Sequence, residues 1–343
     1  MKKLIYLFIA LLFVAVSSCS DNNIVNPVVT TSEGVFLLSE GSFSANSSKL
    51  AYYNSSKDSF YISVFNPSNL GLYADGIVKY NNNLYITEQG NYGSAGKIYK
   101  TDMNGTLISQ QSVGTNPYSI TSANNKLYIT SGPASKVSVV DPSNLVTIKE
   151  INVGVYPQEI LSYNNKVFVC NTSAFGGAAD STVSVIDAVT DVVVNTLRVD
   201  KDPTSLCITN SNKLLVSSWS AVGKIYVFET VTYNLVDSLY SPFGFSKDFS
   251  VDRNTGDVYF VGNDGDIIKL DFAAKTFSSF IGKPTNAFIY GYVFDYVGGK
   301  HYVADAVNFV VNGNMKIYSA NGSFLKQYET GVAPRRFLIN KNY

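Results

Sequence analysis

The chain of 343 residues contains one histidine, His301, three cysteines and one tryptophan. A single imidazole excludes the paired-histidine sites that hold zinc or copper. No Cys-x-x-Cys-His segment is present, which excludes covalent haem attachment, and no Gly-x-Ser-x-Gly elbow marks a serine hydrolase. Charge is scarce and balanced: 26 Lys plus Arg stand against 26 Asp plus Glu, so no net field points to nucleic acid. Beyond the N-terminus there is neither a run of helical period nor an apolar stretch of membrane-spanning length. No cofactor, no metal and no catalytic centre are expected.

What the chain has instead is aromatic residues, 24 Tyr and 21 Phe, set in short alternating runs. Residues 118–121, 126–130, 136–140 and 146–151 are such runs, separated by Asn124-Asn125, Gly132-Pro133 and Asp141-Pro142. Period-two runs bounded by turn residues read as strands. The segment Asn-Lys-Leu-Tyr-Ile-Thr centred on Tyr128 recurs in variant form around Tyr85, Phe168, Leu215, Tyr259 and Tyr302, at steps of 43, 40, 47, 44 and 43 residues. Four strands per repeat at that period predict blades of a β-propeller. A Gly-x-x-Pro turn leads into several repeats, at Pro117, Pro157 and Pro334, with a variant at Pro203 and a shortened form at Pro284.

The two ends complete each other. Residues 34–39 resemble a second strand with no first strand before them, and residues 335–339 form a first strand after which the chain stops. Pairing them closes a ring and removes two open sheet edges. The fold expected is an all-β, seven-bladed propeller of four-stranded antiparallel blades over residues 34–343.

Residues 1–18 read as an export signal: Lys2 and Lys3, an apolar run over 4–16, then Val16-Ser17-Ser18-Cys19. That ending resembles a bacterial lipoprotein signal, with Cys19 as the lipidated residue and 19–33 as a polar tether. An ordinary secretory signal with an incidental cysteine is the alternative. Outer-membrane anchoring with display at the cell surface follows from the lipoprotein reading. Cys170 and Cys207 sit at strand positions and are expected as core, as is His301. The acidic turn 252–257 lacks the spacing of a calcium loop and is expected to be a plain turn.

Loop lengths assign the binding face. First-to-second and third-to-fourth turns are mostly short, whereas second-to-third loops at 40–48, 88–96, 171–181, 218–223 and 305–314 are longer and share a face with the inter-blade turns. These segments carry Tyr92, Tyr156, Phe175, Trp219, Phe245 and Phe309, large rigid contact groups that serve either as a binding surface or as caps over the core. The first strands line the central channel, and their opening residues include Asp75, Tyr118, Glu159, Asp248 and Arg336. This set is polar and mixed in sign; strand parity alone does not decide which of its members face the lumen.

The Gly-x-x-Pro and Asn-Lys-Leu-Tyr-Ile-Thr pieces resemble the YVTN-type β-propeller repeat family over residues 34–340. The opening segment, with Ser39-Glu40-Gly41 where the group usually has Asn-Glu-Gly, is similar to surface lipoproteins of Bacteroidetes-type bacteria. Some of those capture cobalamin and pass it to an outer-membrane transporter. The resemblance implies a non-enzymatic lipoprotein taking a small polar–aromatic ligand such as a corrinoid. Aromatic loops would cover its ring, and Asp75, Glu159 and Arg336 would hydrogen-bond its edge. A scaffold for a surface protein partner is the alternative, and a lyase or lactonase on a propeller the third.

Overall fold

A computed structural model describes residues 33–42, 44–66, 69–173, 177 and 180–341. Cys19, with the signal and tether, and Phe175 lie outside the described residues. The described chain forms 28 strands in seven antiparallel sheets of four. Six blades are consecutive meanders; the seventh joins the C-terminal strand Pro334–Asn340 to Gly34–Ser39, Lys49–Asn54 and Ser59–Tyr61. That closing pair is in register from Gly34 opposite Asn340 to Leu38 opposite Arg336. We number this closing blade 1 and continue along the chain to blade 7.

Burial falls from the second strand of a blade to the fourth. Gly34–Ser39 is buried at all six positions, because a strand inside a ring packs on both faces. Phe36 and Leu38 join the cluster shared with blade 2, while Val35 and Leu37 join that shared with blade 7. The outer strand Thr147–Asn152, by contrast, is mostly exposed.

The repeated tyrosine and lysine latch blade to blade. The Tyr128 hydroxyl donates to Asp191 Oδ1 at 2.5 Å, and Lys126 Nζ pairs with the same carboxylate at 2.6 Å. Tyr85 donates likewise to the Pro142 carbonyl of the next blade at 2.9 Å. The turn Asn124-Asn125 takes φ of 46° and 58°, the left-handed pair a two-residue hairpin turn needs.

Some sequence expectations change. The outer strand of blade 1 is short and ends at Tyr61, because Val64 and Phe65 turn inward into the core shared with blade 2. The inner strand of blade 7 starts at Ile289, so Pro284 does not lead into it. Cys170 and Cys207 are buried and unbridged. His301 is buried against Phe294, with ring centroids 4.2 Å apart, and its Nδ1 lies 2.7 Å from the Tyr292 hydroxyl. Burial lowers its pKa to about 4, leaving a neutral core residue at physiological pH. The 252–257 turn closes on itself through Asp252 and Asp257 backbone and Thr255 hydroxyl bonds.

Candidate functional site at the mouth of the channel

Seven inner strands surround the axis: Ala74–Tyr80, Pro117–Ala123, Pro157–Tyr163, Pro203–Ile208, Lys247–Val251, Ile289–Asp295 and Pro334–Asn340. Each pairs with its second strand through a register shift in its opening residues. Such a bulge places two residues opposite one and breaks the in–out alternation. Hence Arg335 and Arg336, neighbours in sequence, both join the channel network. Asp248 itself takes φ 55° within its bulge.

The arginines form a layer across the channel. Arg335 donates to Asp248 of blade 6 at 2.7 and 2.9 Å, and its guanidinium lies 3.6 Å from Glu159 of blade 4. Arg336 donates to Asp75 of blade 2 at 3.0 Å and also to Glu159. Asp75 is fully buried and accepts a further bond from Gln89 at 3.3 Å. The Arg336 guanidinium lies 5.4 Å from the Tyr118 ring centre. Thus Arg336 satisfies Asp75 and Glu159 while Arg335 satisfies Asp248, and a desolvated network of this kind holds its geometry tightly.

Beside this layer, at the end of the channel with the long loops, the charges are not matched. The Tyr290 hydroxyl donates to both oxygens of Glu40 at 3.0 Å. Burial, with the charge of Asp75 nearby, pushes the Glu40 carboxyl up to about 8. Lys247 stands with Nζ 4.2 Å from the Tyr290 ring centre and, among the described residues, no carboxylate within salt-bridge distance. Burial and the Arg335 charge lower its pKa to about 8. The site therefore holds one carboxyl and one amine that both titrate near neutrality.

An aromatic rim adjoins them. Phe309 meets Phe288 and Tyr290 edge-on, each at 4.8 Å. Trp219 is 68% exposed and divides two grooves, of about 280 Å³ towards Tyr240 and about 380 Å³ towards Phe288. Over blade 2 Tyr92 stands exposed, and over blade 3 the half-buried Tyr156 ring packs on Gly132, where a Cβ would come within 2.9 Å of it. Phe245 is a correction: it is 0% exposed, packed between Phe249 and Phe260, and presents no surface to a ligand. Its segment is pinned inward by paired backbone bonds with Ser220.

Two site residues, Glu40 and Tyr290, escape the sequence reading. Tyr290 has no proline lead-in before it, and Glu40 stands out only as part of a motif. A hollow of about 710 Å³ opens at the opposite, tight-turn end of the channel between the ends of three inner strands. Its polar rim is engaged internally, with Tyr163 donating to Asn212 at 2.7 Å and Arg253 to Asn210 at 3.3 Å. No cluster of three metal-ligating side chains occurs among the described residues.

A family profile for a domain of unknown function, DUF5074, matches residues 33–325. The chain belongs to the DUF5074 family. No curated protein matches it. Among solved structures it is similar to a quinonprotein alcohol dehydrogenase-like protein of Bacteroides thetaiotaomicron, at 17% identity and TM-score 0.71, over 91% of this chain and 79% of that one. It is also similar to the periplasmic gluconolactonase of Pseudomonas aeruginosa, at 13% identity and TM-score 0.66, over 89% and 98% of the two chains. Hydrazine synthase of Kuenenia stuttgartiensis matches at 14% identity and TM-score 0.56, over 74% and 84%. At these identities the likeness shows the propeller fold and no activity.

Proposed function

We propose that this propeller is a non-catalytic binding protein that takes a small polar–aromatic ligand at the long-loop mouth of its channel. The observation that carries the reading is the contrast in charge satisfaction. The arginine–carboxylate layer is complete in itself, whereas Lys247 has no carboxylate in contact and Glu40 has only the Tyr290 hydroxyl, beside an aromatic rim of Phe288, Phe309 and Trp219. A ligand that covers the rim and reaches the mouth meets both dispersion surface and polar partners, the usual composition of a small-molecule site. The layer stops it from threading the channel.

Anchoring through Cys19 fits this arrangement. Glu33, beside Ser55 and Lys341, enters the ring at the tight-turn face. A tether from the outer membrane would hold that face inward and turn the mouth outward, where it could receive a nutrient and pass it to a transporter. A corrinoid is the ligand to try first. Its ring would lie on the aromatic rim, with its edge meeting Lys247 and Glu40 in preference to the self-satisfied Asp75, Glu159 and Arg336.

Calorimetric titration of residues 20–343 with cobalamin and cobinamide tests this. Saturable heat that Trp219→Ala abolishes supports the reading; no heat and no rise in melting temperature with either compound removes the corrinoid. A second reading, a lactonase-type enzyme, draws on Glu40 and Lys247 titrating near 8, where acid–base groups work best. Turnover of gluconolactone that Glu40→Gln abolishes would favour it over simple binding.

A further inference from the structure

The groove of about 380 Å³ beside the mouth is walled by Trp219 and Phe288, with Lys247 at its inner end and Lys283 and Asp264 along its outer side. The two aromatic side chains are half-exposed or more, which hydrophobic surface in a concave site rarely is without a partner. Lys283 lays its stem along Gly265, where a Cβ would meet its Cδ at 2.7 Å. Among the described residues neither ammonium has a carboxylate within salt-bridge distance. The carboxylates nearest Lys247 are committed elsewhere: Asp248 to Arg335, and Glu40 to Tyr290. Arg335 adds a repelling positive charge from behind. A half-buried ammonium with a cation behind it and no carboxylate in contact is stabilised by an incoming anion.

We infer that this groove binds a planar aromatic or heteroaromatic molecule bearing an oxyanion, its ring between Trp219 and Phe288 and its carboxylate or phosphate on Lys247 with help from Lys283. The inference rests on the mouth being the binding site and adds the chemistry of the ligand. It carries a proton linkage. Near pH 8 Lys247 is partly neutral, and a bound anion restores its proton, so binding takes up protons and weakens as pH rises towards 9. Glu40 loses its proton over the same range, which adds repulsion, and Tyr290 is held neutral by burial; Arg335, Asp248, Asp264 and Lys283 are the other charged groups facing the site.

Trp219 is the only tryptophan, so its emission reports the two grooves it divides, and a response lost in a Lys247 variant assigns the signal to this one. The full soluble chain is titrated with 4-nitrobenzoate, 4-nitrophenyl phosphate and the uncharged 4-nitrobenzamide, all contact quenchers of indole. The expected result at pH 7 is saturable quenching by both anions at concentrations about tenfold below the amide. The preference shrinks at pH 9, and Lys247→Met removes it while amide binding persists. The ratio of carboxylate to phosphate affinity tells which oxyanion the pair of lysines favours. Equal affinity for amide and anions, or an unchanged preference in Lys247→Met, overturns the anion inference and leaves the groove as a site. No saturable quenching by any of the three overturns the mouth reading as well. Lys283→Met, on the exposed side, gives the same discrimination by an independent variant.

Discussion

Two charged regions meet in the same channel, and their difference separates structure from function. In the arginine layer every charge faces an opposite one across the ring: Arg335 with Asp248, Arg336 with Asp75 and Glu159. At the mouth, Lys247 has only an aromatic face and Glu40 only a phenol. The first region ties four blades together and has no capacity left for a ligand. The second is left incomplete by the protein itself, and incompleteness at a concave, aromatic-rimmed surface is what a binding site requires.

The comparison is broken most severely from the layer side. Arg336→Leu leaves Asp75 buried without a cation and Glu159 with Arg335 alone, at 3.6 Å. We expect a loss of about 3–5 kcal/mol, seen in urea melts, because an uncompensated buried charge costs more than the pair contributed. A triple variant that also makes Asp75 and Glu159 apolar recovers most of that loss; failure to recover it would mean the layer acts through something other than charge.

At the mouth the sign reverses. Glu40 binds its proton more tightly folded than unfolded, so its contribution to stability falls as pH rises from about 4.5 through about 8. Glu40→Gln removes that slope. The variant should melt roughly 2–3 °C above the parent at about pH 9 and level with it at about pH 5, a gain of about 1–2 kcal/mol after allowing for the open lumen. A lower melting temperature at both pH values would show that the carboxylate is paired after all.

How far these regions could be read from residues alone depends on the length scale involved. The ring was legible because each blade repeats the same local chemistry. Tyr85 and Tyr128 latch to the next blade, Asn-Asn pairs supply left-handed hairpin turns, and Gly34–Ser39 lacks a first strand that Pro334–Asn340 provides. The members of the channel were legible as a polar set, because they open the inner strands, with Tyr118, Glu159 and Arg336 just after a lead-in proline. Their pairing was not. The bulge that brings both Arg335 and Arg336 into one network is a departure from period two, and no residue type marks it. Tyr290 was hidden because Pro284, the lead-in signal of blade 7, stands five residues before the inner strand begins at Ile289. Phe245 was misplaced because an inter-blade residue pinned by backbone bonds to Ser220 looks, in sequence, like any loop aromatic.

Lys247 sharpens the comparison with a smaller effect. Its pKa is lower folded than unfolded, so stability rises with pH from about 8 to about 10.5, and Lys247→Met should flatten that rise and stabilise the protein at neutral pH. Smallest of all is Trp219→Ala, which leaves stability within about 0.5 kcal/mol because the side chain is largely in solvent, while ligand binding is lost. A large drop in stability would make Trp219 a cap over the core instead of a contact surface.

The central claim is that the mouth keeps groups whose charge is left for a ligand to settle. Carbon-13 NMR titration of the glutamate carboxyls, with Glu40→Gln identifying the Glu40 signal, measures this directly. The expected midpoint for Glu40 is near 8. A midpoint in the ordinary glutamate range, about 4.3, would mean that the mouth is as well satisfied as the layer beside it, and would contradict the account.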